Sequence, residues 1–379
     1  MIKDIMKFYN NKRVLITGHT GFKGSWMTQV LLMAGAHITG YALEPPSDPN
    51  MFSLLGFDRM SDDTNNDTGS LTNVYADIRD LDRLKDTFSK AKPEIVIHMA
   101  AQPLVRESYE DPVGTYETNV IGTVNVLECC RLTSSVRSVI NVTTDKVYRN
   151  VERREGYREE EELCGYDPYS NSKSCSELVT DSYRNSFLRD NDIRVTTMRA
   201  GNVIGGGDFA KDRIIPDCVR AAIAGEDIIV RNPDSIRPYQ HVLEPVICYL
   251  GVAASQYIDP CIEGCYNVGP DDEDAITTGK IANLFCAAWN SQTTGFTGNM
   301  HKVNWINKST GGPHEAGFLK LDCTKIRETL GWIPVWDIDR AIEELVRWYK
   351  TYASGEDLGM VTRKQITDYL CDQADDSSL

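Results

Sequence analysis

Positive charge is what this chain has too little of. Its 379 residues carry 40 Lys and Arg against 55 Asp and Glu, a net charge of −15. Nucleic acids and anionic membranes are held by clustered positive charge, so neither is expected as a partner. A small anionic ligand remains compatible, because it needs only a few local arginines and backbone N–H groups. Long apolar runs are missing too. No window approaches the roughly 18 uninterrupted apolar residues of a membrane span. The stretch Met1–Phe8 lacks the apolar segment of a signal peptide. A cytoplasmic location is expected. Metal-ligand spacing is absent among the 11 cysteines and 6 histidines. Cys129 and Cys130 are adjacent within a helical pattern, and Cys261 and Cys265 have no second pair or His to complete a zinc site. No metal is expected, and reduced thiols fit a cytosolic protein.

What is present is alternation. Arg13–Gly18, His37–Leu43, Glu94–Met99, Ser138–Val142 and Ile193–Arg199 read as short apolar strands. Helical patterns lie between several of them, at Trp26–Met33, Val113–Leu132 and Tyr169–Arg189. Continuous apolar strands separated by helices predict an α/β fold, a doubly wound parallel Rossmann sheet covered on both faces. After about Gly201 the texture changes. Gly205-Gly206-Gly207 and Pro233, Pro238, Pro245 and Pro270 break the chain into short pieces. The reading is a dinucleotide-binding domain over 1–200, with a returning segment near 236–268. A smaller, mixed C-terminal substrate domain covers 201–379 and includes a helix near Ile338–Tyr352. Ser61–Asn73 is expected to be a loop and Asp372–Leu379 a frayed tail.

Gly18-His19-Thr20-Gly21-Phe22-Lys23-Gly24 follows the first strand and opens the first helix. Its glycines let the chain turn tightly and let backbone approach a pyrophosphate, whose charge then faces free N–H groups and the helix N-terminus. Between a strand and a helix this triplet is a strong signal. Gly18, Thr20, Gly21, Phe22 and Gly24 are the candidate contacts, while His19 and Lys23 read as solvated turn residues without a role. The acid expected on the adenosine ribose is Glu44, slightly late after the second strand. No arginine follows closely to receive a 2′-phosphate, so NAD is expected rather than NADP. Asp77-Ile78 follows a third short strand, where an acid and an apolar neighbour can hold adenine. Ala100-Ala101-Gln102 ends the fourth, where the chain would pass the ribose and nicotinamide.

Tyr169 and Lys173 stand four apart, on one face of a helix. A free phenol titrates near 10, too high for a base at neutral pH. A neighbouring ammonium stabilises the phenolate, and so would an oxidised nicotinamide. The pair can then take a proton from a hydroxyl while hydride leaves the same carbon. A bare Tyr-x-x-x-Lys is common by chance; its weight comes from following a dinucleotide turn. Upstream, Thr144, Asp145 and Lys146 end a strand, where active-site groups collect. Taken alone, Asp145 and Lys146 also read as a capping acid and a solvated lysine.

Together these residues resemble the extended short-chain dehydrogenase/reductase family of nucleotide-sugar enzymes, over essentially the whole chain. The resemblance rests on Gly18-x-x-Gly21-x-x-Gly24, Asp77-Ile78, His98-Met99-Ala100-Ala101-Gln102, Asn119, Tyr169-x-x-x-Lys173 and Arg199-x-x-Asn202-Val203. Within it, Thr144-Asp145-Lys146-Val147-Tyr148 is similar to the signature of the sugar-nucleotide 4,6-dehydratases. These read Thr-Asp-Glu there, with Asp as acid and Glu as base. Lys146 in place of that Glu resembles the branch acting on CDP-glucose, which feeds 3,6-dideoxyhexoses of bacterial surface polysaccharide. The resemblance implies NAD as cofactor, with Asn119 beside it, and CDP-glucose or a related nucleotide sugar as substrate. It implies Asn202, Arg213 and Arg237 on the substrate diphosphate, Arg231 as a further candidate, and a homodimer or homotetramer. It assigns Tyr169 to the C4 hydroxyl proton and Asp145 to the departing C6 hydroxyl, with Thr144 and Lys173 beside them. The C5 base stays open. Lys146 would need a lowered pKa, which Lys173 and the nicotinamide charge favour and Asp145 opposes. Two other readings also stand: a nucleotide-sugar C4 epimerase, which would not need Asp145, and a non-catalytic NAD-binding sensor, which would not need Tyr169 as a base.

Overall fold

The computed structural model describes residues 4–60, 69–211, 213–291, 302–308 and 318–376. Six strands follow one another through the first half: β1 (Arg13–Thr17), β2 (His37–Ala42), β3 (Ser70–Tyr75), β4 (Ile95–His98), β5 (Ser138–Val142) and β6 (Arg194–Ala200). The second half adds β7 (Asn202–Ile204), β8 (Ile228–Val230), β9 (Ile236–His241), β10 (Cys265–Val268), β11 (Ala275–Thr277) and β12 (Trp305–Asn307). Seven of these make one sheet in the order β10-β6-β5-β4-β1-β2-β3, with every neighbouring pair parallel. Val14, Leu15, Ile16, Ile95, Val96, Ile97, Val139 and Ile140 are all buried, as strands covered by helices on both faces require. β1 lies between β2 and β4, so the chain winds away from it in both directions. The crevice beyond the carboxyl ends of such strands is where this architecture binds ligands.

The remaining strands form a small mixed sheet, β11-β9-β7, and a two-stranded one, β12-β8. The chain returns to the large sheet through the helix Leu243–Ile258, which packs on β5, β6 and the helix Phe22–Met33, and then through β10. The expectation of short broken pieces after Gly201 is corrected here, because this helix is long and almost wholly buried. Pro245 lies in its first turn, where the missing N–H has no intrahelical partner to lose.

Two further expectations are corrected. Ser70–Asn73 is not loop: it opens β3, paired with β2 from His37 to Ala42. β3 is an edge strand and tolerates Thr72 and Asn73, which broke the apolar pattern. The rest of that expected loop, 61–68, lies outside the described residues. The tail is also not frayed through Asp372–Asp376, because a helix spans Leu358–Asp376. Trp348 Nε1 donates to Thr362 Oγ1 at 2.9 Å, and Trp336 Nε1 to Asp372 Oδ2 at 2.9 Å. Ser377–Leu379 lie outside the described residues. Among the described residues no helix is long and apolar enough to cross a membrane, and no group of His, Cys, Asp and Glu is arranged to hold a metal.

Candidate active site

The dinucleotide turn leaves β1 at Gly18, whose φ of +78° favours glycine. A Cβ there would stand 2.8 Å from Ala100 N, and one at Gly24 would stand 2.3 Å from Gly18 O. These two glycines let the turn, the helix and the end of β4 close on one another. At Gly21 a Cβ would meet one atom, Gly18 O at 3.4 Å. This side of the turn is therefore open to a phosphate, and the arrangement fits a dinucleotide. Thr20 Oγ1 donates to Leu43 O at 3.0 Å, tying the turn to the exit of β2. Glu44 is exposed just beyond that exit. Asp77 is engaged by Arg79 at 2.7 Å, which holds its carboxyl below the usual range, and Ile78 is buried.

Gln102 and Asn119 meet across the crevice. The helix opened by Asp111 and Pro112 passes through a π-helical turn, Glu117–Ile121, before continuing as Gly122–Leu132. Such turns often mark functional sites. This one carries buried Asn119, whose Oδ1 accepts from Gln102 N at 2.8 Å. Its Nδ2 donates to Gln102 O at 3.1 Å and to Ser172 Oγ at 2.9 Å. Asn119 thus ties the end of β4 to the helix that bears Tyr169 and Lys173.

That helix, Pro168–Tyr183, starts cleanly: Asp167 caps it by accepting from Ser170 N, and Pro168 takes its first position. Tyr169 and Lys173 are both buried on its inner face. Lys173 Nζ donates to Val142 O at 3.1 Å, and burial lowers its pKa to about 8 against the pull of Glu177. Burial raises the Tyr169 phenol, while Lys146, a hydrogen bond with Thr144 and Arg213 work against that rise. Lys146 heads those opposing influences, whereas spacing alone pointed to Lys173.

Thr144, Asp145 and Lys146 follow β5 directly. Thr144 Oγ1 donates to Asp145 Oδ1 at 2.9 Å, and Lys146 Nζ donates to the same oxygen at 3.0 Å. Asp145 is fully buried, and its Oδ2 has no hydrogen-bond partner among the described residues. Burial works against the charge of Lys146, but Asp145 and Tyr169 outweigh it, and the net shift is upward. Lys146 therefore rests as an ammonium in an ion pair.

The candidate arginines divide. Arg213 is held by Asp208 at 3.0 Å and acts electrostatically on Tyr169. Arg237 acts on Lys146. Asn202 lies on β7, paired with Tyr239 of β9. Arg231 instead lines an open cleft of about 750 Å³ together with Arg106, Arg220 and Lys308.

Residues 15–345 match the protein family described as GDP-mannose 4,6 dehydratase. The chain belongs to this family. It is 44% identical over 370 residues to CDP-glucose 4,6-dehydratase of Salmonella typhimurium, covering 96% of this chain and 97% of that one. Among solved structures it is similar to a dTDP-glucose 4,6-dehydratase from Streptomyces venezuelae with NAD and TYD bound. That match has a TM-score of 0.71 at 21% identity and covers 92% of this chain and 99% of the other. A UDP-glucose 4-epimerase from Thermotoga maritima superposes with a TM-score of 0.70 at 20% identity, covering 89% and 99%. These two structural likenesses show the fold alone. The resemblance to nucleotide-sugar 4,6-dehydratases read from the motifs is borne out.

In this family member two turn residues expected to be solvated are not. His19 is buried, its Nε2 lies 3.1 Å from Asn73 Oδ1, and burial lowers its pKa to about 4. The signal for it was Gly40 in β2, where a Cβ would stand 2.2 Å from the imidazole. Lys23 is half-buried among Arg213, Lys173, Asp145 and Lys146, all of which act on it electrostatically. Its pKa is lowered to about 8, first by burial and then by Arg213 and Lys173. No local signal marks Lys23, because its neighbours come from distant segments.

Proposed function

We propose that this protein is a CDP-glucose 4,6-dehydratase, converting CDP-glucose to CDP-4-keto-6-deoxyglucose and water with NAD. The observation that carries this reading is the 44% identity along nearly the whole chain to an enzyme of that activity. The ion-paired Asp145 and Lys146 beside Tyr169 support it, because an epimerase has no leaving group to protonate and a sensor needs no base. The division of labour is a dinucleotide domain over 1–200 with the returning strand β10, and a nucleotide-sugar part over 201–379. Gly18, Thr20, Gly21, Phe22 and Gly24 would hold the NAD pyrophosphate, Glu44 the ribose, and Asp77 and Ile78 the adenine. Ala100, Ala101, Gln102 and Asn119 would flank the nicotinamide half. Asn202, Arg213 and Arg237 would hold the substrate diphosphate, with planar guanidinium forks suited to phosphate oxygens. Arg231, which lines a separate cleft, would be a further contact to the substrate.

When bound, NAD would supply the acceptor for the hydride of sugar C4 and the donor that gives it back at C6. Tyr169, as phenolate, removes the C4 hydroxyl proton; Lys146 and Arg213 reduce the cost that burial sets on that charge, which remains the larger effect. The 4-keto group then acidifies C5–H. Elimination needs a base at C5 and an acid at C6, and one proton supplies both. Because Lys146 rests as an ammonium, transfer from its Nζ to Asp145 Oδ1 across their 3.0 Å hydrogen bond is uphill, and the neutral amine and carboxylic acid it gives are populated only transiently, when the acidified C5–H is there to be taken. The amine takes the C5 proton, the acid protonates the C6 hydroxyl, and water leaves. The ion pair is thereby restored. Lys146 next returns a proton to C5, and Tyr169 passes the C4 hydroxyl proton on to Lys146. Every group ends as it began.

Three companion proposals follow from the same reading. Exposed Ile121, Leu132, Leu178 and Phe187 on the segments 117–132 and 168–188 support a homodimer or homotetramer built on these helices. The location is cytoplasmic. The product supplies 3,6-dideoxyhexoses of bacterial surface polysaccharide. The test of the main reading is mass spectrometry after incubation with CDP-glucose and substoichiometric NAD. A product lighter by one water, with no net NADH, is expected. A sugar of unchanged mass would mean an epimerase, and NADH growing with turnover would mean a simple dehydrogenase.

A further inference from the structure

Behind the end of β5 lies a buried polar cluster that none of these steps uses. Glu177 follows Lys173 by one helical turn, and Arg199 ends β6; both are buried. The Glu177 carboxylate accepts from Arg199 Nε at 3.0 Å and Nη2 at 2.9 Å, from Thr197 Oγ1 at 2.6 Å and from Thr143 Oγ1 at 2.5 Å. Arg199 Nη1 donates to the Tyr148 hydroxyl at 2.8 Å and to Glu159 O at 2.9 Å. The Tyr148 hydroxyl donates onward to Asn267 Oδ1 at 2.7 Å. Thr143 and Tyr148 are the two ends of the segment whose middle is Thr144-Asp145-Lys146.

We propose that the Glu177–Arg199 pair is a clamp that grips this segment at Thr143 and Tyr148 and so aims Asp145 and Lys146 for elimination. Thr143 and Tyr148 are then positioning residues. The proposal rests on the reading above, in which Asp145 and Lys146 carry that step. The hydrogen bonds to Asp145 Oδ1 come from Thr144 and Lys146, within the segment itself, and Oδ2 has no partner. The aim of the carboxyl is therefore set by the local backbone. Thr143 N donates to Met198 O at 2.9 Å, and the Ser174 hydroxyl donates to Val147 O at 2.7 Å; both hold the segment by its backbone. The clamp adds a side-chain grip at each end. A buried ion pair with filled lone pairs is stiff, and its hydrogen bonds strengthen in a low dielectric. Tyr169 and Lys173 stand on the helix that also carries Glu177, which both variants below leave in place, and Lys146 acts on Tyr169 as a charge, which tolerates small displacements; oxidation at C4 therefore depends on this grip far less than elimination does.

Thr143→Val and Tyr148→Phe each release one end while leaving the ion pair whole. The experiment is a single turnover of NAD-loaded protein held in excess over CDP-glucose, following NADH absorbance alongside the melting temperature. In each variant the rise of bound NADH should stay within about twofold of the parent, while its decay slows about tenfold or more, as small misplacements of reacting groups do. In steady-state assays KM should change little, and in the single turnover Thr143→Ser, which keeps the hydroxyl, should restore parental decay. Decay unchanged from the parent, or rise and decay slowed in parallel, would overturn the clamp. If Tyr148→Phe does not fold, Thr143→Val decides alone. A parent that releases no dehydrated product fails at the earlier reading and takes the clamp with it, which separates the two failures.

Discussion

The two sides of the end of β5 are built on opposite terms. On the crevice side stand Asp145, Lys146, Tyr169, Lys173 and Lys23, with hydrogen-bonding capacity left over. Asp145 Oδ2 is buried without a partner, and burial brings Lys173 and Lys23 down to about 8. On the far side, Glu177 takes four donors, and its partner Arg199 passes two further bonds to Tyr148 and Glu159. Native interiors rarely leave polar atoms unpaired, so unspent capacity gathered in a crevice marks groups poised to exchange protons. Full satisfaction marks groups that hold shape.

The contrast breaks most sharply at Asp145. Asp145→Asn keeps size and hydrogen bonding but cannot deliver a proton as an acid. Elimination should slow by about 10²–10⁴-fold while oxidation at C4 survives. Stopped-flow absorbance should then show bound NADH accumulating in a single turnover. No bound NADH and no product would mean that Asp145 acts before or during oxidation. Next comes Tyr169→Phe, which keeps the ring and removes the ionisable oxygen. Turnover should fall by about 10²-fold or more, with CDP-glucose affinity largely kept in a calorimetric titration. A steady-state rate close to the parental one would remove Tyr169 from the mechanism.

The smallest effect sharpens the shape-holding side. Glu244 resembles Glu177 in being buried and satisfied, but its donors are neutral: Val335 N at 3.1 Å, Trp336 N at 2.8 Å and the Tyr369 hydroxyl at 2.7 Å. Burial raises its pKa to about 7, and Asp271 adds to the rise. Its unfolded value lies near 4.5. Between these values the folded chain binds more protons than the unfolded one, so stability from this group falls as pH rises to about 7 and stays low above it. Glu244→Gln removes the titration. Its stability relative to the parent should improve from pH 5 to pH 8, by about 3 kcal/mol at most. Thermal melts showing a constant difference across that range would contradict the assignment.

Most of the large sheet was legible because β1, β2, β4, β5 and β6 are short apolar runs of the kind a doubly covered sheet demands. β3 was harder, since an edge strand can carry Thr72 and Asn73. The helix Leu243–Ile258 hid behind Pro245, which reads as a breaker unless its place in the first turn is known. The last helix hid behind the acids of its final turns, and its anchors, Trp336 and Trp348, lie well upstream. For the candidate site, motif spacing named Tyr169, Lys173, Thr144 and Asp145, because each sits at a strand end or helix start that spacing can locate. Lys23, buried His19 and the Thr143–Glu177–Arg199–Tyr148 chain were not legible. Each depends on contacts between segments that only the folded sheet brings together.

The central claim is that one hydride leaves C4 and comes back at C6 of the same sugar as water is lost. It is tested most directly with CDP-glucose carrying deuterium at C4 and a substoichiometric amount of NAD. The expected product is lighter by one water and carries the deuterium at C6. Deuterium still at C4 of a sugar of unchanged mass, or deuterium lost to a growing pool of reduced cofactor, would contradict the account.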